Sequence, residues 1–410
     1  MQNSAYDFRQ HPAPPIITSD NTFLECSSLD NLFVSHEESV YVERQDRQSI
    51  CQMPTLFEHS RTSPGAPEFK GQKYRLSAPY WWNENTKIPA LKVFSLQDAH
   101  VFGGKIRSRE PYGYHAKGQL TLRQDMSLFE SSGGIMDGIT SLPSDLLAAR
   151  DEGRYHLTIS DEPEFFSGDY YLIGSIHSHF GHFMLEGLSR LWAATLLPAH
   201  IFSQLRFVVY EPAISPYAMT CMQLFGIRKE QLIFCPPHAV FDRLFVPAPS
   251  YRSHWWAQPE QVRTWDRIAE RATAERQHPY PEKVFFSRRN IKERRLSNID
   301  DVEDAFAHAG YAIVAPETFP IGDQIRMAYS AKALAGCVGS AMYLAAFQKK
   351  AEIPTIIVGP RSFYLKDDSI IADIKGNNLV VALGTETSES EEKLWYADVG
   401  SIRSAIDHTR

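Results

Sequence analysis

From residue 283 onward, short apolar runs alternate with segments of helical period. This alternation restricts the second half of the chain to one class of fold. KVFFSR (283–288), YAIVAP (311–316), ALAGCVG (333–339), TIIVGP (355–360) and NLVVALG (378–384) read as strands. IDDVEDAFAHAG (299–310), IGDQIRMAYSA (321–331) and SAMYLAAFQK (340–349) read as helices, the first with a glycine stop. Strands of this kind alternating with helices of about ten residues imply βαβ units and a parallel sheet. In such sheets a ligand sits outside the carboxyl ends of the strands.

The first half carries a less regular version of the same pattern. Strand-like runs at 90–110 and 118–126, YYLIGSI (170–176), RFVVYEP (206–212) and QLIFCPP (231–237) flank a helix over 215–225 that Gly226 ends. The expected organisation is an irregular N-terminal extension (1–89), an α/β domain (90–245), a connecting helix and linker (246–282) and a second α/β domain (283–385). A final helix (386–410) is expected to pack back across the first half. Within the extension, a β-type run at 40–42 is an expected strand, and the Pro- and Gly-rich stretch at 59–73 is an expected break.

The net charge of −7 excludes a general nucleic-acid binder, which would be basic. Five cysteines without CxxC spacing suit free thiols in a reducing compartment and form no zinc pattern. No charged start leads into an apolar core as in a secretory signal, and no apolar run approaches the ~18 residues of a membrane span. The expected location is cytoplasmic, with peripheral contact at the inner face of a membrane compatible with it.

Three stretches carry chemistry. Read as a helix, SIHSHFGHFMLEGLSRLW (175–192) puts His179, His182, Glu186, Ser189 and Arg190 within an arc of roughly 100°. Phe180, Met184, Gly187, Leu188 and Leu191 fall opposite. A His takes a proton near neutral pH, and a Glu one turn later orients it. The set lacks HExxH, and no other His/Cys cluster completes a tetrahedron, so no metal is expected.

The second stretch follows KVFFSR and holds five cations in eight residues: Arg288, Arg289, Lys292, Arg294 and Arg295, with Ser287 before them and Asn298 after. Guanidinium groups at a strand's carboxyl end suit phosphate oxygens. The third is Gly336-x-x-Gly339-Ser340, where small residues allow close approach to a helix start, although it is neither GxGxxG nor a P-loop. Glu317 sits past another strand end, in a place to accept bonds from ribose hydroxyls. Trp81-Trp82 and Trp255-Trp256 suit stacking on sugar rings as well as ordinary core packing.

The ordered set resembles a known family. His179-x-x-His182-Phe-x-x-Glu186-x-Leu188-x-Arg190 resembles the N-x-x-H-[FW]-x-x-[ED]-x-L-P-R helix of family 61 glycosyltransferases. Ser287-Arg288…Arg295…Asn298, then Glu317 and Gln324, then Gly336-x-x-Gly339-Ser340, resembles its second-half signature. The resemblance covers roughly residues 95–385. Departures are His179 in place of Asn, Ser189 in place of Pro, and Val338-Gly339-Ser340 and Leu344 where many eukaryotic members have His-Gly-Ala and Asn. The expected lack of a signal or membrane anchor resembles the bacterial branch, which is associated with capsule, exopolysaccharide or lipopolysaccharide assembly.

The resemblance implies a GT-B-like α/β fold of two Rossmann-like domains facing across a cleft. It implies an inverting hexosyl- or pentosyltransferase that needs neither metal nor cofactor beyond the nucleotide-sugar donor. The acceptor would be a glycan or lipid-linked glycan. The expected catalytic pair is His182 and Glu186. The expected donor-binding residues are Ser287, Arg288, Arg294, Arg295, Asn298, Glu317, Gln324, Gly339 and Ser340, and the expected acceptor contacts are His179 and Arg190. Two readings from other classes stand beside it: a non-catalytic nucleotide-sugar or glycan-binding protein, and a metal-dependent hydrolase built on the histidines.

Overall fold

In a computed structural model of the chain, residues 162–409 are described apart from 177–178, 237, 275–278, 350–351, 361–362, 364–365 and 387–393. Short N-terminal pieces, chiefly strands, are described at 6–7, 47–49, 55–58, 86–88, 91, 93–103, 119–122, 150–151 and 154–155. The chain divides into two units, one of residues 1–47 and 88–253, the other of 48–87 and 254–410. The expected strand at 40–42, the break at 59–73 and Trp81-Trp82 lie outside the described residues.

The first unit is built on a mixed six-stranded sheet. Its strands are β1 (Val93–Gly103), β2 (Gln119–Leu122), β3 (Glu164–Gly174), β4 (Arg206–Val209), β5 (Leu232–Phe234) and β6 (Ala239–Pro247), in spatial order β5-β4-β3-β6-β1-β2. β5, β4, β3 and β6 run parallel, whereas β1 and β2 join antiparallel. Phe166, Tyr170, Leu172, Val208, Ile233, Phe241 and Leu244 form its core, with Phe166 and Phe241 stacked at 4.9 Å. Helix α1 (Pro216–Phe225) starts with proline in its first turn, where a missing N–H costs nothing. It stops at Gly226, whose φ of 110° lets its N–H reach the Met222 and Gln223 carbonyls.

The second unit is the parallel sheet that the alternation predicts. It contains α2 (Gln261–Ala274), β7 (Lys283–Phe286), α3 (Ile299–His308), β8 (Ala312–Val314), α4 (Ile321–Ser330), β9 (Ala333–Cys337), β10 (Pro354–Pro360), α5 (Lys366–Lys375), β11 (Asn378–Glu386), β12 (Trp395–Tyr396) and α6 (Val399–His408). The order is β8-β7-β9-β10-β11-β12, with the Thr55–Glu58 strand also pairing with β11. Pairing is parallel throughout except for β12. The run β8-β7-β9-β10-β11 is the doubly wound order whose switch point falls between its first and third strands, here β7 and β9.

Phe285 and Phe306 stack at 4.4 Å in this unit's core, both fully buried. Burial of such a ring stabilises by about 1.5–3 kcal/mol. Two expectations are corrected here. The C-terminal helix, expected on the first half, packs inside the second unit, where Ile402, Ala405 and Ile406 join the same core as Phe285. The expected helix over SAMYLAAFQK is a 3-10 segment, Ser340–Phe347, opened by the Met342 N–H bond to the Gly339 carbonyl. Its Met342, Tyr343, Leu344, Ala345, Ala346 and Phe347 are all buried, so packing and not helical periodicity holds it.

Candidate functional site

The histidine-rich stretch is helical, but it is not the regular amphipathic helix that its spacing predicts. An α turn at Phe180–His182 runs into a π-helix at Phe183–Gly187, where the Leu188 N–H bonds to the Phe183 carbonyl five residues back. A 3-10 turn follows at Ala193–Leu196. The wider turn shifts the later residues out of the expected polar arc. His179 is exposed and His182 half-buried, but Glu186, Ser189 and Arg190 are buried. π-turns recur at functional sites, because an inserted residue re-aims the side chains around it.

Glu186 is the centre of this first cluster. One carboxylate oxygen lies 2.8 Å from His182 Nδ1, and the other accepts the Ser253 N–H at 3.2 Å. With Glu186 ionised, Nδ1 carries the ring proton and Nε2 carries the lone pair, the form that accepts a proton. The His179 ring sits 5.2 Å from that of His182, so the two expected histidines are brought together.

The rest of the segment is architecture. Ser189 donates to the Glu186 carbonyl, and the Ser189 carbonyl receives both the N–H and the hydroxyl of Ser250. Arg190, expected to face an acceptor, is 4% exposed; its guanidinium donates to the Pro247 carbonyl and its own carbonyl accepts from Tyr171. Burial pushes the Arg190 pKa below its ordinary value. Glu211, at the end of RFVVYEP, accepts the Ile176 N–H at 2.7 Å and the Ser175 hydroxyl at 2.5 Å. It thereby fixes the start of the histidine segment, a role that its position after a strand hinted at but did not specify.

The second cluster lies at the switch point. Gly339 has a φ of 144°, and a Cβ built there would collide with the Arg288 guanidinium. A Cβ on Gly336 would come within 2.8 Å of the Phe286 carbonyl, so this glycine keeps β7 and β9 close. Arg288 also donates to the Glu293 carbonyl at 3.2 Å, and burial lowers its pKa. Arg294 follows in a left-handed conformation, with φ of 50°, and lies 3.7 Å over the ring of Phe363. Phe363 belongs to the loop after β10, so the loops that follow the first and fourth strands of the run meet here.

The arginines of this loop separate by environment. Arg289 pairs with Glu303 and with Asp300 at 2.7 Å, and these bonds raise its pKa and commit it to α3. Ser287 is spent the same way, donating to Glu303 at 2.5 Å and accepting the Arg289 N–H at 3.0 Å. Asn298 uses both ends of its amide on the Ala397 backbone, at 2.8 and 3.0 Å. The Arg295 side chain is exposed, and its carbonyl takes the Trp395 N–H. Glu317 is exposed and accepts from Asn290 at 2.8 Å, whereas Gln324 donates to the Phe319 carbonyl at 2.9 Å. The structure therefore brings Arg288, Gly339 and Arg294 to the switch-point edge, with Ser340 next in sequence. Ser287 and Asn298 are turned to holding the fold.

No group of three or more His, Cys, Asp and Glu side chains suited to a metal occurs among the described residues. The described cysteines Cys221, Cys235 and Cys337 are free and buried, and burial raises their pKa values, those of Cys221 and Cys337 to about 12. No helix among the described residues is long and apolar enough to cross a membrane.

Residues 180–358 match the family model Glycosyltransferase 61. The match begins just after His179 and takes in His182, Glu186, Arg288, Arg294 and Gly339, a narrower span than the expected 95–385. No curated protein matches the chain. The domain marks the protein as a glycosyltransferase enzyme, with a sugar donor and an acceptor as its substrates.

Proposed function

We propose that the protein is an inverting, metal-independent glycosyltransferase that moves a hexosyl or pentosyl group from a nucleotide sugar to a glycan or lipid-linked glycan. In this reading the two units form a GT-B enzyme, the second binding the donor and the first the acceptor. The observation that carries it is the pairing of Arg288 with Gly339 at the switch point of the second unit's sheet. That is where a doubly wound sheet binds a nucleotide, and a partly buried guanidinium suits its diphosphate.

The chemistry is a single displacement. Nε2 of His182 takes the proton of the acceptor hydroxyl while that oxygen attacks the anomeric carbon. The bond from that carbon to the diphosphate oxygen breaks, its electron pair leaves with the nucleoside diphosphate, and the configuration inverts. Glu186 holds the imidazole and offsets the charge it gains. Arg288, helped by Arg294 and Arg295, stabilises the negative charge that develops on the leaving phosphate. His179 is an acceptor contact in this scheme.

We place the acceptor among bacterial surface polysaccharides, at the cytoplasmic side of the membrane. Thermal-shift measurements with UDP, GDP and CMP and their sugars test the donor assignment. One nucleotide class should raise the melting temperature of the chain and fail to do so for Arg288→Ala. Stabilisation by none of them contradicts the assignment.

A further inference from the structure

A second imidazole–carboxylate pair lies in the second unit, outside the machinery assigned above. His254 Nδ1 is 2.7 Å from Asp367, whose other carboxylate oxygen accepts the His254 backbone N–H at 2.8 Å. Asp367 is fully buried, whereas the His254 side chain is 53% exposed. Tyr343 reaches the same carboxylate at 3.4 Å from the segment that Gly339 opens. Asp367 stands in the first turn of α5, four residues after Phe363, so the pair is anchored on the connection that leaves the carboxyl end of β10, the strand next to β9.

The residue at 254 is also set apart by its backbone. Its φ is 63°, left-handed backbone that glycine or asparagine adopts at lower cost. Histidine is among the side chains that tolerate this conformation best, so the position keeps an imidazole at modest cost. Next to it Trp255 is one of three large hydrophobic residues left exposed among the described ones, at 50%. An oriented imidazole beside a half-exposed indole is the chemistry that recognises a sugar: hydrogen bonds to hydroxyls, and an aromatic face for the ring's C–H groups.

We propose that His254, held by Asp367 and flanked by Trp255, contacts the sugar of the donor nucleotide sugar and contributes to its selection. With Asp367 ionised, the pair fixes the Nδ1–H tautomer, so Nε2 accepts a sugar hydroxyl. The proposal rests on the donor assignment for the second unit, and it adds a residue that the 287–340 motifs do not contain.

Calorimetric titration of the full chain with UDP, GDP and CMP and their nucleotide sugars tests it. His254→Asn keeps a residue suited to positive φ, with an amide that can still donate to Asp367, so its melting temperature should hold. This variant should bind the nucleotide sugar about three- to tenfold more weakly, the worth of one hydrogen bond, and the nucleoside diphosphate within about twofold of the parent. His254→Gly, which relieves the backbone, should show the same selective loss. Unchanged nucleotide-sugar affinity in both variants overturns the proposal, as does an equal loss of both ligands. If the unmodified chain binds no nucleotide, the donor assignment falls and the proposal falls with it.

Discussion

Glu186 divides its two carboxylate oxygens between the imidazole of His182 and the backbone N–H of Ser253. The second bond fixes the carboxylate, and the fixed carboxylate aims the ring. At 3% exposure Glu186 is screened from solvent, so its charge acts on His182 more strongly than a surface carboxylate would. Replacing Glu186 with Gln retains the shape and removes the charge. We expect turnover to fall about 10²-fold or more with little change in donor affinity, read as kcat against KM for the donor.

Arg288 and Gly339 are coupled by space. Gly339→Ala adds a methyl group where the guanidinium lies and strains the backbone at φ 144°. It should weaken nucleotide binding about as much as Arg288→Ala, and the double variant should lose little more. A calorimetric double-mutant cycle measures this, and full additivity would contradict the coupling.

Arg190 and Asn298 should behave as parts of the fold. Removing the buried Arg190 head group in Arg190→Met breaks its bond to the Pro247 carbonyl. It should cost about 1–3 kcal/mol in denaturant unfolding. Asn298→Ala breaks both bonds to Ala397 and should cost about 1–2 kcal/mol without weakening nucleotide binding. A loss of affinity in Asn298→Ala at unchanged stability would return that residue to the donor site.

Asp368 supplies a pH test. Burial, and next the charge of Asp367, raise its pKa well above the ordinary 3.8, and one of its oxygens is buried without a hydrogen-bond partner. A carboxyl raised in the folded state binds its proton more tightly there than in the unfolded chain. Its contribution is therefore full below the unfolded value and is lost as pH rises through the folded one. Urea unfolding from acidic to neutral pH should show stability falling through this window. Asp368→Asn should flatten that slope and be the more stable chain at neutral pH.

Much of the second unit was legible in the sequence, because its parallel strands are buried on both faces and read as short apolar runs. KVFFSR and ALAGCVG needed no more than that, and their carboxyl ends led directly to Arg288 and Gly339. The histidine segment misled in geometry. A π-turn leaves no mark on residue spacing, so an arc drawn at about 100° per residue placed Arg190 beside His182 when its guanidinium is buried against the Pro247 carbonyl. Ser287 and Asn298 looked available because a sequence does not show that Glu303 and Ala397 occupy them. The His254–Asp367 pair was out of reach for a similar reason: its members are 113 residues apart and neither lies in a motif.

The most direct measurement is the release of nucleoside diphosphate from the nucleotide sugar that stabilises the chain, with polysaccharide-derived oligosaccharides as acceptors. The unmodified protein should transfer sugar with inversion at the anomeric carbon. His182→Ala should lose about 10²–10⁴-fold in turnover, and Arg288→Ala should lose both donor affinity and turnover. Full transfer activity in both variants would contradict the account.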